Sequence, residues 1–158
     1  MQIVPEKGEQ NSPHVVVRRV IPATRERVFQ AWTDPVLMSR WLVGAPGHAR
    51  ATVDLKVGGA YSVDMVLDPA TLPPEAPKLA SYLHTGKYIE IVPPERLVFT
   101  WESHCAHNSV VTVELHEVSG GTEVSITHRL STEEECLSHE GGWTFALSMM
   151  AEYLLPEA

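Results

Sequence analysis

Two histidines near the carboxyl-terminal end of the chain are spaced so that both imidazoles could enter one pocket. His128 alternates with Val124 and Ile126, so its side chain is predicted to face inward from a strand. His139 lies four residues before Trp143 on a predicted helix, which places both on the face turned toward the sheet. A neutral imidazole donates and accepts hydrogen bonds, so the pair could orient a ligand or act as a general base. The alternative is that each histidine braces the start of the helix.

Large apolar side chains recur at inward positions of the predicted strands and helices. Pockets for small molecules are lined mainly by such side chains, with a few polar groups that orient the ligand. Methionine suits variable ligands because its side chain is flexible and polarisable. For any single member of the set, ordinary core packing is the alternative. The residues predicted to contact a ligand together with His128 and His139 are Trp41, Tyr61, Met65, Tyr88, Trp101, Trp143, Leu147 and Met150.

Glu90 is a carboxylate in the middle of a predicted strand. The alternation around it allows two orientations: either Tyr88 and Glu90 point inward, or Ile89 and Ile91 do. Facing inward, Glu90 would be a buried acid that needs a partner or a raised pKa. It would then be a third candidate general base beside the two histidines.

The segment His104-Cys105-Ala106-His107 brings metal-ligating side chains close together. Strong metal sites need three or four ligands in a defined geometry, and this spacing supplies two at best. A solvated loop is therefore favoured, and no metal site is predicted. The chain also lacks a Gly-x-Ser-x-Gly elbow, a glycine-rich phosphate loop and a His-Glu-x-x-His motif. These absences weaken an enzymatic interpretation, and we predict neither a catalytic residue nor a cofactor.

Charge and hydropathy exclude several classes of partner. The 158 residues carry a net charge of -8, and the twelve basic residues are scattered, which argues against nucleic-acid binding. No apolar run approaches the roughly 18 residues of a membrane span. The first dozen residues lack the apolar core of a signal peptide, so a cytoplasmic protein is expected. Two cysteines, Cys105 and Cys136, do not form a disulfide framework.

The first elements of the chain are a strand and two short helices. Residues 14–21 are rich in β-branched side chains and end at Pro22, which predicts a strand. Residues 24–33 follow with helical spacing. Asp34 and Pro35 are typical of an N-cap and a first helical position, so a second short helix is expected through Trp41.

Six further strands and one long helix are predicted after the short helices. Residues 68–77 contain four prolines and are predicted to form a loop. A helix is expected from about Thr132 to Leu155, with Ser131 and Glu134 forming a capping box. The apolar positions that mark the six strands lie within 49–55, 61–67, 83–92, 97–101, 111–115 and 124–130.

Short motifs in this order resemble one protein superfamily over most of the chain, from His14 to Leu154. The similarity is to the START-like or SRPBCC superfamily, whose helix-grip fold is shared with birch-pollen-type allergens and polyketide cyclases. More narrowly, the chain resembles homologues of the heat-shock-protein-ninety ATPase activator. The residues that carry the match are 31–35 (Ala-Trp-Thr-Asp-Pro), Arg40-Trp41, Gly58-Gly59 with Tyr61, 86–91, 93–97, Trp101, 111–115, 121–124, His139 and Gly142-Trp143.

The resemblance implies an α+β helix-grip fold in which a curved antiparallel sheet of six to seven strands wraps around the long C-terminal helix. Residues 1–158 would form a single domain with a loose N-terminal arm over 1–12. Proteins of this superfamily have a cavity between the sheet and that helix, and many bind apolar molecules. The leading hypothesis is a cofactor-free, cytoplasmic protein that encloses a small apolar or aromatic molecule.

Two other functions remain open at this stage. One is an enzyme of the cyclase or hydrolase kind that uses His128, His139 or Glu90 as a general base. The other is a protein-interaction module with a chaperone partner, which the family name suggests and the sequence itself does not support. A homodimer is a general expectation for small cytoplasmic domains. No nucleic-acid or membrane partner is predicted.

Overall fold

The computed structural model describes residues 13–42, 48–66, 81–103 and 106–154. The N-terminal arm over 1–12 and the proline-rich segment over 68–77 therefore lie outside the described residues. The described residues form seven strands and three helices, in the order expected from the sequence. They are β1 (His14–Ile21), α1 (Arg25–Thr33), α2 (Pro35–Trp41), β2 (His48–Val53), β3 (Ala60–Val66), β4 (Ser81–Val92), β5 (Arg96–Ser103), β6 (Ala106–Val118), β7 (Gly121–Arg129) and α3 (Glu133–Tyr153).

All seven strands belong to one antiparallel sheet, in the spatial order β1-β7-β6-β5-β4-β3-β2. From β2 to β7 each strand pairs with the next along the chain, and β1 pairs with β7 at the other end of the series. One face of the sheet packs against the helices, because an amphipathic sheet must bury its apolar side. The α+β helix-grip fold predicted from the sequence is confirmed.

The two short helices begin where the sequence places their caps. The Thr24 hydroxyl accepts a hydrogen bond from the Arg27 N–H at 3.2 Å, and α1 follows. Asp34 Oδ1 accepts from the N–H groups of Val36 and Leu37 at 2.8 and 3.2 Å, with Pro35 in the first turn of α2. These caps satisfy backbone donors that a helix start leaves unpaired.

The cap of α3 lies one residue later than predicted, so the expected Ser131–Glu134 pairing was wrong. Thr132 is the N-cap and accepts from the Glu135 N–H at 3.1 Å, while the Glu135 carboxylate accepts from the Ser131 N–H at 3.0 Å. The reason is that the Ser131 hydroxyl is used elsewhere, since it donates to the His107 carbonyl at 3.2 Å. The helix therefore starts only after Ser131.

A β-bulge in β4 resolves the ambiguity at Glu90. Tyr88 pairs with Phe99 but Glu90 pairs with Val98, so the register shifts by one residue between them. Tyr88 is buried, and beyond the bulge it is Ile91 that packs against the core. Such an extra residue switches the faces on which later side chains lie. Neither simple alternation was therefore correct.

Glu90 lies on the outer side of the sheet in a cross-strand ion-pair network. Its carboxylate accepts from Arg96 Nε at 2.9 Å, and Arg96 Nη1 donates to Glu114 at 2.7 Å. All three side chains are between 38 and 46% exposed. Glu90 is thus not the buried acid that an inward orientation would have made it.

Gly141 and Gly142 lie in the middle of α3, where glycine lowers helix stability. A Cβ added at either position would meet no atom within 4 Å, and neither glycine has a positive φ angle. We therefore expect Gly141→Ala and Gly142→Ala each to raise the free energy of unfolding by about 0.8 kcal/mol. Urea denaturation of the two variants and the wild type measures this, and a loss of stability would contradict the open environment of the two glycines.

Candidate functional site

An aromatic cavity lies between the sheet and the two short helices. The strands β3, β4 and β5 supply one wall, and the helical segment from α1 to the end of α2 supplies the other. The side chains that line this aromatic cavity are Trp32, Met38, Leu42, Tyr61, Tyr88, Leu97, Phe99 and Trp101. In this conformation the cavity volume is about 10 Å³, which is room for about one water molecule.

The wall on the sheet side is a set of closely packed rings that meet at tilted and edge-to-face angles. Tyr61 lies 5.5 Å from Tyr88 and 5.4 Å from Phe99, measured between ring centroids. Phe99 and Trp101 alternate along β5, with their rings 6.4 Å apart. Gly86 permits this packing, since a Cβ there would lie 1.9 Å from the Thr100 carbonyl oxygen and 2.6 Å from the Tyr61 ring. The aromatic wall is consequently tied to the register of three strands.

The cavity wall is electrically neutral. The Tyr61 hydroxyl donates to the Thr100 carbonyl at 2.6 Å, and burial, aided by Tyr88 and Glu102, raises the pKa of Tyr61 well above its usual value. Burial raises the pKa of Tyr88 to about 12. Both phenols are therefore uncharged near neutral pH, and none of the eight described lining residues carries a charge. Such a wall favours neutral, apolar guests.

The four tryptophans differ in whether their indole N–H groups have a hydrogen-bond partner. All four are at most 4% exposed. Trp41 Nε1 donates to the Ala31 carbonyl at 2.8 Å, and Trp143 Nε1 donates to His128 Nδ1 at 3.0 Å. Within the described part of the chain, the Nε1 atoms of Trp32 and Trp101 have no hydrogen-bond partner. The two unpartnered indoles are those that line the aromatic cavity.

His128 lies in a chain of hydrogen bonds that runs from Trp143 to the Trp101 carbonyl. Its Nδ1 accepts from Trp143, so its proton lies on Nε2, which donates to the Ser109 hydroxyl at 3.0 Å. Ser109 in turn donates to the Trp101 carbonyl. Because an indole can only donate and a carbonyl can only accept, the direction of every bond in the chain is determined. The chain ties α3 to β7, β6 and β5.

His128 is neutral at physiological pH. Burial, together with the nearby His139 and His84, lowers the pKa of His128 to about 3. Both ring nitrogens are engaged with protein partners, and the side chain is fully buried. A general base needs a lone pair within reach of a substrate proton. In this arrangement the Nδ1 lone pair is occupied by the Trp143 indole, which favours a bracing role for His128.

His139 is half-buried beside His128. The two rings meet edge to face, with centroids 4.9 Å apart. His139 Nδ1 donates to the Glu135 carbonyl at 2.8 Å, one turn earlier in α3. This bond holds the imidazole against the helix, and when the ring is neutral it leaves Nε2 as the acceptor nitrogen. Among the described residues, no group of three or more His, Cys, Asp or Glu side chains is placed to hold a metal ion.

The structure describes the side chains of nine of the ten sequence-predicted ligand contacts, and they lie in three places. Tyr61, Tyr88 and Trp101 line the aromatic cavity. Trp143 forms a second layer, with its ring 5.9 Å from Trp32 and 5.1 Å from Trp101. Five others lie away from the described lining: Trp41, Leu147 and Met150 are fully buried in the core, while His128 is hydrogen-bonded to Trp143 and His139 to the Glu135 carbonyl. The side chain of Met65 lies outside what the structure describes.

Five cavity residues were absent from the sequence-based set: Trp32, Met38, Leu42, Leu97 and Phe99. Leu97 and Phe99 share the inward alternation of Trp101, so the strand pattern contained their signal. No sequence pattern predicted that α1 and α2 would line the cavity. Helical spacing identifies the buried face of a helix, but it does not identify the residues against which that face packs. The sequence placed the cavity under α3, whereas the described lining residues come from α1, α2 and the sheet.

Three other sequence-based expectations concern the metal-ligating segment, the cysteines and a membrane span. Half of the metal-ligating segment, His104 and Cys105, lies outside the described residues. Cys136 is buried as a free thiol in α3, and burial, reinforced by Glu133, Glu135 and Glu140, raises its pKa. No helix in the described ranges combines the length and the apolar character needed to cross a membrane.

Solved structures with the same fold come from several bacteria. A Chromobacterium violaceum protein is 25% identical, with a TM-score of 0.78 and coverage of 91% of this chain and 99% of its own. The AHSA1-like protein of Aeromonas hydrophila is 24% identical, with a TM-score of 0.74 and coverages of 90% and 92%. A Rhodobacter sphaeroides protein is 22% identical, with a TM-score of 0.73 and coverages of 89% and 91%.

The family assignment rests on the sequence as well as on the fold. No curated protein matches the chain. Residues 22–155 match the family described as Activator of Hsp90 ATPase homolog 1-like protein. That match begins just after β1 and includes the cavity, the His128 chain of hydrogen bonds and α3. The chain therefore belongs to the Activator of Hsp90 ATPase homolog 1-like family, a branch of the START-like superfamily.

Proposed function

We propose that this is a cytoplasmic binding protein that encloses a small apolar or aromatic molecule in the aromatic cavity. The observation that supports this most strongly is the wall of closely packed, neutral rings from β3, β4 and β5. Aromatic walls favour planar aromatic ligands, because aromatic rings attract one another in offset and edge-on arrangements. The fold family supports a ligand-binding role in general terms.

A guest larger than water has to displace part of the present lining. Met38 and Leu42 form the aliphatic wall at the helical side, opposite the rings. Methionine has three rotatable bonds and adapts readily to a new neighbour. Leu42 is the C-cap residue of α2, so its side chain moves with the end of a helix only seven residues long. We place the entrance at these two side chains.

A ligand screen tests this function. Neutral aromatic compounds, fatty acids and polyketides are compared by the shift they cause in the thermal unfolding of the purified protein. A ligand present at a hundred times its dissociation constant should raise the free energy of unfolding by about 2.7 kcal/mol. We expect neutral aromatic compounds to produce the shift.

Two matched leucine variants locate the binding site. Leu42→Ala removes a side chain that a guest has to displace, so its affinity for the best ligand should rise about tenfold, corresponding to about 1.4 kcal/mol. Leu154 is the C-cap residue of α3 and lies outside the cavity lining, so Leu154→Ala should leave the affinity unchanged. Equal affinities in both variants, or no ligand from any class, would contradict the proposal.

The enzymatic alternative receives less support from the geometry. Both nitrogens of His128 are engaged, and Glu90 pairs with Arg96 on the outer side of the sheet. The chaperone-partner hypothesis stays a prediction suggested by the family name. A pull-down with the Hsp90-type chaperone of the same cell tests it, and failure to recover that chaperone would count against it.

A further inference from the structure

We propose that the free edge of β1, the side that faces away from β7, binds an extended segment of a protein partner as an additional antiparallel strand. β1 lies at one end of the sheet, and no strand of the described ranges pairs with its free edge. Such an edge offers a row of unpaired N–H and C=O groups to another chain. The surface is separate from the aromatic cavity, because the described residues around the two are different.

The hydrogen bonds between β1 and β7 determine which backbone groups face the free edge. The Leu130 N–H donates to the Pro13 carbonyl at 2.9 Å, and the register continues without a shift to the end of β1. In an antiparallel ladder, hydrogen-bonded pairs alternate with pairs that are not hydrogen-bonded. The odd-numbered residues of β1 therefore bond to β7, while the backbone groups of Val16, Arg18 and Val20 point to the free edge.

Several features that protect edge strands from pairing are missing from β1. Its eight residues contain no proline, and its pairing with β7 has no bulge. Val15 and Val17 are buried against the helices, so the even-numbered side chains lie on the outer face of the sheet. There Val16 and Val20 are 38 and 46% exposed. Of the features that usually blunt an edge, β1 has charge, and charge selects the partner rather than excluding every partner.

Arg18 lies between the two exposed valines on the outer face. In the part of the chain that the structure describes, no carboxylate forms an ion pair with it. Opposite charges and apolar side chains that face each other across two strands stabilise the pairing. A partner strand therefore gains from an acidic residue opposite Arg18 and from apolar residues opposite Val16 and Val20. The predicted partner sequence is apolar-x-acidic-x-apolar, where x is a residue on the inner face.

The inner-face residues of the partner would enter a cleft between β1 and α3. This cleft has a volume of about 380 Å³, within the usual range of binding pockets. Arg19 and Glu152 supply one charge of each sign, so a charged side chain would meet a like charge there. Small, uncharged polar residues such as Thr are therefore expected at the x positions. The residues that line the cleft are Arg19, Val20, Pro22, Ser148, Ala151 and Glu152.

Charge also argues against a second copy of this chain as the partner. Only even-numbered residues can bond across the free edge, so two β1 strands overlap almost fully in just two antiparallel registers. One register sets Arg18 opposite Arg18, and the other sets Arg18 opposite Val16, which makes the two Arg18 side chains diagonal neighbours. Like charges in such positions repel each other. The net charge of -8 on each copy adds to the repulsion.

A synthetic peptide tests the docking surface. The acetylated and amidated peptide Thr-Val-Thr-Glu-Thr-Val-Thr is added to ¹⁵N-labelled protein. We expect downfield amide proton shifts at Val16, Arg18 and Val20, whose N–H groups gain an acceptor, and small shifts at Val17 and Arg19, whose N–H groups already bond to β7. Methylation of the Glu nitrogen, which would face β1, should abolish binding. Methylation of the next Thr nitrogen, which would face solvent, should preserve it.

Charge variants connect the affinity to Arg18. Arg18→Glu should weaken binding of the Glu peptide about fivefold. A peptide with Lys in place of Glu should instead bind Arg18→Glu more tightly than wild type. Arg50 is exposed on β2, the strand at the other end of the sheet. Arg50→Glu makes the same change in net charge and should leave both affinities unchanged.

Several results would overturn the proposal. They are an absence of shifts, shifts that do not alternate along β1, equal binding of the Glu and Lys peptides to wild type, or equal effects of Arg18→Glu and Arg50→Glu. Slow hydrogen exchange of the Val16, Arg18 and Val20 amides in the free protein would also overturn it, because the edge would then already be covered. Protection that persists on dilution would identify another segment of the chain as the cover, and protection lost on dilution would identify a second copy.

Discussion

Replacing Trp143 with alanine is expected to lower the free energy of unfolding by about 4 kcal/mol, the range found for truncation of a buried large aromatic side chain. Trp143 is 4% exposed and contacts the rings of Trp32 and Trp101. Its indole also donates to His128 Nδ1, so the variant leaves a buried acceptor unpaired. The substitution therefore lowers stability in two ways: it removes buried aromatic contacts, and it leaves the His128 acceptor without a partner.

Two controls separate these penalties. Trp143→Phe keeps most of the ring volume but removes the N–H group, so we expect an intermediate loss of about 2 kcal/mol. Phe145 lies on the same helix and is 51% exposed, so Phe145→Ala should cost well under 1 kcal/mol. Chemical denaturation monitored by circular dichroism gives all three values. A Trp143→Ala variant as stable as Phe145→Ala would show that Trp143 does not hold α3 to the sheet.

Acid should destabilise the protein through His128. Burial, with His139 and His84 nearby, lowers the pKa of His128 to about 3 in the folded state, whereas an unfolded histidine has a pKa near 6.5. Between these values the unfolded chain binds a proton that the folded chain does not, so stability rises with pH across this window and is lost as pH falls. At pH 5 the loss from this residue should be about 2 kcal/mol relative to neutral pH.

A variant that cannot titrate isolates this effect. His128→Asn keeps an acceptor oxygen near the position of Nδ1, and it should weaken the dependence of stability on pH between about 4 and 6.5 even if the variant is less stable overall. His116 is exposed on the same sheet, and His116→Asn should keep the wild-type dependence. Denaturant unfolding at a series of pH values measures both. An identical pH dependence in His128→Asn and wild type would contradict the burial of a neutral imidazole.

The order and type of the elements could be predicted because local signals agree along most of the chain. Alternation with a period of two marks the strands, and the Asp34-Pro35 cap marks the start of α2. Exceptions arise where one residue alters a local pattern. The bulge after Tyr88 switches the face of every later residue in β4, and the hydrogen bond from Ser131 to His107 moves the start of α3. The bulge arises in the pairing of β4 with β5, and His107 lies 24 residues before Ser131, so neither feature could be read from the local sequence.

The candidate site was less predictable for the same reason. Alternation correctly assigned His128 to the inner face, but its partner Ser109 lies nineteen residues away and becomes a neighbour only through the β6–β7 register. Likewise, the burial of Trp32 follows from helical spacing, while its place in the cavity depends on how α1 sits over the sheet. Sequence periodicity identifies which side chains are buried, and tertiary packing decides which of them share a cavity.

The most direct test of the cavity as a binding site is the indole region of a ¹H–¹⁵N correlation spectrum. The chain has four tryptophans, so four indole N–H signals can be assigned with single Trp→Phe variants and followed during addition of the best neutral aromatic ligand from the thermal-unfolding screen. The proposed site predicts large shifts for Trp32 and Trp101, because their rings line the cavity and would lie against the bound ring, and smaller shifts for Trp41 and Trp143. Four unmoved signals at a saturating concentration of that ligand, or shifts confined to Trp41 and Trp143, would contradict it.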